Sequence, residues 1–306
     1  MSILVTGGTG LVGKALLEIK KSNNSWFFAS SKDANLKNIE ETEQLFEKIK
    51  PKYVIHLAAS VGGLYKNLNN NLEMFEDNFD INIIVIKTCH KYGVKRAIFC
   101  LSTCVFPDNI GESITEDMLH HGPPHLSNYG YSYSKRMLQI QCQLYNEKYN
   151  TQYICIIPTN IYGENDNFTL ENSHVIPGLI HQCYLAKKNN TPFIIKGTGT
   201  PLRQFLYSKD LAKAIELILY NYKATTSIII SPKEEISITT LARTIMDNFN
   251  YHNFKYDTSY SDGQHKKTNS NLKLLTHFPD FQFTNFNLGI RNTINWFIEN
   301  YQICRK

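Results

Sequence analysis

The sequence predicts an α/β fold, with a doubly wound parallel sheet and a smaller mixed α/β lobe on the C-terminal side. Three observations predict this class. Short apolar runs rich in β-branched and aromatic residues alternate with helical patterns through the first half of the chain. The first apolar run stops at glycines that lead directly into a helix. After about Tyr162 the alternation ends in a polar stretch, GENDNFTLENSH, which is typical of a loop.

The individual elements follow from these patterns in chain order. Apolar runs predict strands at residues 2–6, 26–30, 53–57, 97–101 and 153–158. Helical periodicity predicts helices at residues 11–20, 39–50, 75–91 and 131–149. Farther on, VIPGLIHQCYLAKK predicts a helix, RQFLYSKDLAKAIELILYNY a strand followed by a helix, TTSIIIS a strand, and residues near 287–301 a final helix.

This order of elements predicts two structural units. Residues 1–162 form the sheet domain, to which the chain returns at about 203–232. Residues 163–202 and 233–306 form the smaller lobe, which we expect to bind the substrate.

Composition excludes several classes of protein. The chain has 306 residues, of which 42% are hydrophobic and 19% charged, as in ordinary globular proteins. A net charge of +5, dispersed along the chain, gives no basis for nucleic-acid binding. No apolar run has the length of a membrane span, and the N-terminal run is too short for a signal peptide. Seven scattered cysteines without a C-x-x-C pair predict neither disulfides nor a metal site, so we expect a cytoplasmic protein.

A glycine motif follows the first predicted strand. In TGGTGLVG, Gly7 permits a tight turn, Gly10 lets the backbone approach a pyrophosphate, and Gly13 lets the helix pack closely on the strand. The N-terminus of the following helix then faces the phosphates. The motif therefore predicts a Rossmann-type dinucleotide site in the sheet domain.

The end of the second predicted strand bears on which dinucleotide binds. In FFASSKDANL, Ser30, Ser31 and Lys32 precede Asp33. Hydroxyl groups and a cation suit a 2′-phosphate, which favours NADPH (NADP+), with Asp33 on the adenine side together with Asn35 and Leu36. If the strand ends later, Asp33 is instead the acid that binds the ribose of NAD.

The pattern Y-x-x-x-K occurs three times, beginning at residues 131, 184 and 251. Only the first lies in the sheet domain at a helix start, with Ser102 at the end of a strand upstream. A spacing of four places Tyr131 and Lys135 on one helix face, where the lysine charge is expected to lower the tyrosine pKa for acid–base chemistry. Ser102 is a candidate to bind a substrate oxygen.

Together these motifs resemble the extended short-chain dehydrogenase/reductases that act on nucleotide sugars. The glycine motif, HLAA after the third strand, Ser102 and the Tyr131–Lys135 pair carry the resemblance. Further blocks are similar to those of members that act as 3,5-epimerase and NADPH-dependent 4-reductase on GDP-4-keto-6-deoxy-mannose. These blocks are HLAASVGG, LSTCVFP, GYSYSKRM, IPTNIYGENDNF, SHVIPGLI, GTGTPLRQF and SDGQHKK.

The resemblance implies roles for particular residues. Cys104 and His174 would be the epimerisation pair, a base and an acid on opposite faces of the sugar, and Tyr131 would stabilise the enolate and later donate a proton. The implied substrate contacts are Asn160, Gln182, Lys196, Arg203, Asp262 and Lys267. The implied cofactor contacts are the glycines, residues 32, 33, 35 and 36, and four catalytic positions, Ser102, Tyr131, Lys135 and His174. They also include Thr9, Leu11, Val12, Leu57, Ala58, Ala59, Leu101, Pro158, Asn160 and Ile161.

Two departures from the family pattern leave alternatives open. Lys196 stands where a tryptophan is usual, and Gln182 stands where a basic residue is common. A UDP- or dTDP-linked deoxysugar, or 4-epimerisation, therefore remains an alternative. A 4,6-dehydratase is disfavoured because Ser-Thr-Cys replaces the Thr-Asp-Glu block, and a silent NADP sensor because the catalytic positions are all occupied by competent residues. Family dimers predict a homodimer through the helices at 75–91 and 131–149.

Overall fold

Six parallel strands form the central sheet of the computed structural model, which describes residues 2–20, 25–108, 110, 113–260, 262 and 265–306. In chain order the strands are β1 (Ile3–Thr6), β2 (Trp26–Ala29), β3 (Tyr53–His56), β4 (Arg96–Cys100), β5 (Gln152–Pro158), β6 (Asn160–Tyr162), β7 (Phe193–Lys196), β8 (Leu202–Arg203), β9 (Phe205–Tyr207), β10 (Ile228–Ile230), β11 (Ile236–Ser237) and β12 (Phe254–Asp257). The helices are α1 (Leu11–Lys20), α2 (Ile39–Ile49), α3 (Leu64–Asn69), α4 (Asn71–Lys91), α5 (Tyr129–Tyr149), α6 (Val175–Asn189), α7 (Ser208–Asn221), α8 (Ile238–Phe249), α9 (Leu272–His277) and α10 (Phe286–Glu299).

The strand order of the sheet is β2-β1-β3-β4-β5-β10, and every neighbouring pair is parallel. The chain leaves β1 towards one edge to form β2, then returns across β1 to form β3. This reversal is a topological switch point, and in such sheets a ligand binds at the carboxyl ends of the strands beside it.

Two apolar cores cover the two faces of the sheet, as the doubly wound prediction requires. On one face, Leu4 and Phe99 pack with residues from α2, α4 and α5. On the other face, Ile3 and Val5 pack with residues from α1 and α7, such as Leu211. Neighbours along β1 therefore point into different cores, which explains why this strand is a continuous apolar run. The prediction of a Rossmann-type α/β fold is confirmed.

A third core lies among α6, α8 and α10, with Ile180, Ile245 and Phe297 fully buried. Around it the chain forms three small ladders: β7 with β12, β8 with β11, and β6 with β9. Leu274 of α9 and Phe281 pack instead into the sheet core on the α1 and α7 face. The exact domain division stays a prediction.

The strands and helices predicted in the first half are present, with ends shifted by up to four residues. The sequence patterns did not indicate α3, α8, α9 or the short strands β6, β7, β8, β11 and β12. Most of these elements are only two to six residues long, which is too short for a period to be recognised.

None of the helices in the described part of the chain is long and apolar enough to cross a membrane.

Candidate active site

The carboxyl ends of the central strands bring the predicted site residues together. Gly7 follows β1, Leu57 follows β3, Ser102 comes two residues after β4, and Asn160 comes two residues after Pro158 at the end of β5. Because these strands are parallel, their carboxyl ends lie along one edge of the sheet, next to the switch point.

The glycine turn forms a backbone cradle at the start of α1. Gly7 has φ +70°, and the Gly10 N–H donates to the Gly7 carbonyl at 3.0 Å. A Cβ on Gly7 would lie 2.8 Å from the Ala58 nitrogen, and one on Gly13 would lie 2.4 Å from the Gly7 oxygen. Gly8, which the motif did not single out, is equally confined, since its Cβ would lie 2.7 Å from Cβ of Phe28. The first amides of α1 have no partner within the helix, so this cradle fits a pyrophosphate.

The turn after β2 fits a 2′-phosphate better than a free ribose. The Asp33 carboxylate accepts hydrogen bonds from the Ser30 backbone N–H at 2.8 Å and the Ser30 hydroxyl at 2.7 Å. These bonds hold the pKa of Asp33 below its usual range. The Asp33 carboxylate is therefore already hydrogen-bonded within its own turn, while Ser31 and Lys32 are exposed. Next along the chain, Asn35 is exposed and Leu36 packs against the sheet core.

Tyr131 and Lys135 lie in the first two turns of α5. The Lys135 ammonium is 5.7 Å from the centre of the Tyr131 ring and donates a hydrogen bond of 2.9 Å to the Cys100 carbonyl. Burial raises the pKa of Tyr131 well above its usual range and lowers the pKa of Lys135. The expectation that Lys135 lowers the tyrosine pKa is therefore wrong for this structure, because burial and the neighbouring thiols Cys104 and Cys100 raise that pKa. The phenol is held in its protonated form.

Cys104 lies in a single turn of 3-10 helix, Thr103–Val105, which Ser102 caps. The Cys104 N–H donates to the Ser102 hydroxyl at 3.5 Å, and the Cys104 carbonyl accepts from the Ser132 hydroxyl of α5 at 3.0 Å. The negative form of Cys104 interacts electrostatically with Tyr131 and Lys135. The structure therefore brings Ser102, Cys104, Tyr131 and Lys135 into one cluster.

His174 is the N-cap residue of α6 and is exposed. Desolvation lowers the pKa of its imidazole. Its carbonyl accepts a hydrogen bond of 3.1 Å from the Gly178 N–H, but within the described ranges no hydrogen bond or ion pair joins its imidazole to another residue. The loop just before it runs close to the HLAASVGG block, since a Cβ on Gly63 would lie 2.8 Å from the Ser173 carbonyl oxygen. Its convergence on Cys104 stays a prediction.

Two basic residues among the implied substrate contacts are partly buried. Burial lowers the pKa of Lys267, and its charge interacts with Cys104, Asp108, Arg136 and Arg203. Burial likewise lowers the pKa of Arg203, against the influence of Asp262. Lys267 therefore interacts with Cys104 directly, whereas Arg203 interacts with Lys267.

Asp262 binds the GTGT turn rather than standing free. Its carboxylate accepts from the Thr198 backbone N–H at 2.7 Å and from the Thr198 hydroxyl at 2.6 Å, which lowers its pKa. Gly197 and Gly199 in this turn have φ +81° and +76°. The described part of the SDGQHKK block therefore fixes the turn between β7 and β8; residues 261, 263 and 264 of the block lie outside the described residues.

Gln182 and Lys196 line one cavity of about 340 Å³ between α6 and β7. The Lys196 ammonium lies 4.4 Å from the centre of the Tyr260 ring, which lines the same cavity. The two positions that depart from the family pattern are therefore neighbours in space. Tyr260 carried no motif, and nothing in the sequence indicated it.

The remaining predicted cofactor contacts lie along the same sheet edge. Leu101 and Pro158 are buried at strand ends, Ala58 and Ala59 follow β3, and Ile161 lies in β6. Asn160 is exposed, and its amide donates to the Gln204 carbonyl at 3.0 Å. Thr9, Leu11 and Val12 lie at the cradle and the first turn of α1.

Comparison with known proteins decides the family. A model described as the NAD dependent epimerase/dehydratase family matches residues 3–230. The chain belongs to the NAD dependent epimerase/dehydratase family. Within this family it is 49% identical to GDP-L-fucose synthase of Dictyostelium discoideum, over 100% of this chain and 98% of that protein. It is 47% identical to a probable GDP-L-fucose synthase of Drosophila melanogaster, over 99% of each chain.

A solved structure of the same epimerase/dehydratase fold is similar over its whole length. This GDP-L-fucose synthetase from Naegleria fowleri, bound to NADP, superposes with a TM-score of 0.95 at 48% identity, covering 100% of this chain and 95% of that chain. The resemblance drawn from the sequence motifs is therefore confirmed.

Proposed function

We propose that this member of the family is a bifunctional GDP-L-fucose synthase. It epimerises carbons 3 and 5 of GDP-4-keto-6-deoxy-D-mannose and reduces carbon 4 with NADPH, which gives GDP-L-fucose. One observation carries the proposal: the Cys104 turn is hydrogen-bonded to the helix that carries Tyr131 and Lys135. A thiol for epimerisation and a phenol for reduction therefore border one site, in a chain whose whole length is similar to GDP-L-fucose synthases.

In epimerisation, the Cys104 thiolate takes the proton from the carbon beside the ketone, and the electron pair moves to the ketone oxygen. The Tyr131 hydroxyl donates a hydrogen bond to this enolate oxygen, a role suited to a phenol that burial keeps protonated. His174 returns a proton to the opposite face, which inverts the carbon. Lys267 and Arg203 bind the diphosphate of the substrate.

In reduction, Tyr131 gives its proton to the carbon-4 oxygen, with Lys135 beside it to balance the phenolate charge. NADPH, when bound, supplies the hydride. The cradle at Gly7, Gly10 and Gly13 would hold its pyrophosphate, and Ser31 and Lys32 would hold its 2′-phosphate. The relatives named GDP-L-fucose synthase favour a guanosine sugar over the UDP- and dTDP-linked alternatives.

We further propose a homodimer built on α4 and α5. Asn71 at the start of α4 accepts from the Gly130 N–H at 2.8 Å and donates to the Leu126 carbonyl at 3.3 Å, so exposed Leu72, Leu126 and Tyr129 lie close together. A second copy of the chain would cover this apolar patch. Leu126→Glu is expected to halve the mass measured by light scattering, while Leu272→Glu, at an equally exposed position on α9, leaves it unchanged. An unchanged mass in Leu126→Glu would contradict the patch.

The seven cysteines are all free thiols, which supports our proposal of a reducing, cytoplasmic location.

The deciding experiment follows NADPH oxidation with freshly made GDP-4-keto-6-deoxy-mannose in D₂O and analyses the product. The intact enzyme should give GDP-L-fucose with deuterium at carbons 3 and 5. Cys104→Ser should bind NADPH normally but incorporate no deuterium, while Cys100→Ser, a neighbouring thiol on β4, is the matched control and should behave as the parent. Deuterium incorporation by Cys104→Ser would overturn the role of the thiol. Tight NADPH binding without turnover of any 4-keto nucleotide sugar would overturn the enzymatic function.

A further inference from the structure

Arg136 is a buried cation next to Lys135 on α5, with only 4% of its surface exposed. Its Nε donates a hydrogen bond of 2.7 Å to the Val105 carbonyl, in the same 3-10 turn that holds Cys104. Its Nη2 has no hydrogen-bond partner among the described residues. No carboxylate in the described part of the chain lies within ion-pair distance of it.

A buried guanidinium without an anion is costly, and a group that becomes negative nearby would offset that cost. Two ionisable side chains interact favourably with the Arg136 charge: Tyr133 and Cys104. The guanidinium stands 5.4 Å from the centre of the Tyr133 ring, where a cation contacts the ring face. Cys104 is therefore the remaining acid whose ionisation Arg136 would stabilise.

We propose that Arg136 is a positioning residue that holds the Cys104 turn against α5 and stabilises the thiolate that removes the substrate proton. The proposal rests on the proposed function for its link to epimerisation. In that step the thiolate sulfur forms the S–H bond, the carbon–hydrogen bond breaks, and its electron pair moves to the ketone oxygen. Arg136 stays protonated throughout.

Other groups that face Cys104 do not replace this charge. Tyr131 is neutral while protonated, and Lys135 also interacts with Cys104, but burial lowers the pKa of its ammonium. Lys267 is a second cation, but burial and the neighbouring charges of Arg136 and Arg203 lower its pKa. A guanidinium remains charged under these conditions, which an ammonium does not always do.

The test measures the rate at which iodoacetamide alkylates Cys104, followed on its own peptide by mass spectrometry, as a function of pH and without substrate. Arg136→Gln is expected to move the alkylation profile to higher pH by about one unit. Arg136→Lys, which keeps the charge, is expected to restore the parent profile. Arg291→Gln removes an exposed arginine of α10, which is not part of the site, and it should leave the profile unchanged.

Arg136→Met supplies a second neutral variant if Arg136→Gln does not fold, because an apolar side chain suits a buried position. Identical profiles for the parent and either neutral variant, in protein with an unchanged melting temperature, would overturn the proposal. Deuterium exchange into the substrate separates the two claims. If Cys104→Ser still exchanges, the epimerisation role of Cys104 fails, whereas the effect of Arg136 on alkylation is judged independently.

Discussion

Close contacts between individual atoms determine which positions of the glycine cradle must be glycine. Gly7 needs its left-handed φ of +70°, whereas Gly13 has helical dihedrals and is confined by the Gly7 carbonyl and the Gly8 backbone. The motif predicts both requirements, because each follows from covalent geometry. It does not indicate Gly8, whose constraint comes from Phe28 on a different strand.

Gly13→Ala places a methyl group 2.4 Å from the Gly7 oxygen and forces the turn apart. Overpacking of this kind costs about 1–3 kcal/mol, so we expect NADPH to bind about 5-fold to 150-fold more weakly in a fluorescence titration. Gly122→Ala is the matched control, since its added Cβ would be 3.5 Å from Pro107. Equal affinity in the two variants would contradict the cradle.

For Tyr131, the sequence predicts the position on the helix but not the burial of the side chain. The Y-x-x-x-K spacing correctly predicts that Tyr131 and Lys135 share a helix face. It does not predict how deeply the phenol is buried, and burial sets the direction of its pKa shift. The same holds for Arg136, because a basic residue type does not indicate that the side chain is buried with no carboxylate partner among the described residues.

Among the secondary-structure elements, α6 and β7 form the cavity that holds both departures from the family pattern. Gln182 comes from the helix, and Lys196 from the end of the strand, where its ammonium lies over the Tyr260 ring. The elements were partly predictable: α6 has a clear helical period, while β7 is a four-residue strand. Their common cavity depends on packing between segments that are distant in sequence.

Lys196→Ala should weaken binding of the nucleotide end without changing the chemistry. We expect KM for the GDP-sugar to rise about threefold to tenfold with kcat unchanged, since a partly exposed cation contributes modestly. Steady-state kinetics of NADPH oxidation measure both constants. Lys188→Ala, at an exposed position in the last turn of α6, controls for loss of positive charge. A fall in kcat with an unchanged KM would contradict the proposed role of Lys196 in substrate binding.

At the scale of the whole molecule, the C-terminal residues are hydrogen-bonded to the loop that leads from β6 to His174. The Arg305 guanidinium donates to the Asn165 carbonyl at 2.8 Å, and the Phe168 N–H donates to the Arg305 carbonyl at 2.8 Å. Asp166 in this loop is buried, and burial raises its pKa to about 7. One carboxylate oxygen accepts from the Asn167 N–H, while the other has no partner among the described residues.

Asp166 should make the protein less stable as the pH rises. Between its ordinary pKa of 3.8 and about 7, the folded state keeps a proton that the unfolded state releases, so the free energy of unfolding falls with rising pH. The slope is about 1.4 kcal/mol per pH unit. Asp166→Asn should therefore exceed the parent in stability at about pH 8 and match it near pH 4 in urea unfolding.

Asp280→Asn, at an exposed position, controls for the loss of a carboxylate. A stability gain of equal size at both pH values would show that packing, not ionisation, distinguishes Asp166→Asn from the parent.

The sequence indicates more of the sheet domain than of the lobe for a physical reason. Parallel strands buried on both faces are continuous apolar runs that end at glycine or polar turns, so β1 and β5 can be recognised from sequence alone. In contrast, β12 is largely exposed and contains Lys255 and Asp257, and it is a strand only because it pairs with β7. The lobe is therefore defined by long-range contacts.

The attachment of the Cys104 turn to α5 has a consequence for how such enzymes can be recombined. Tyr131 and Lys135 lie on α5, and Ser132 and Arg136 bind the backbone of the turn. A crossover point placed between residues 104 and 129 would join a turn and a helix from different parents. We expect chimaeras that inherit residues 102–149 as one block to keep both activities more often than those divided inside it.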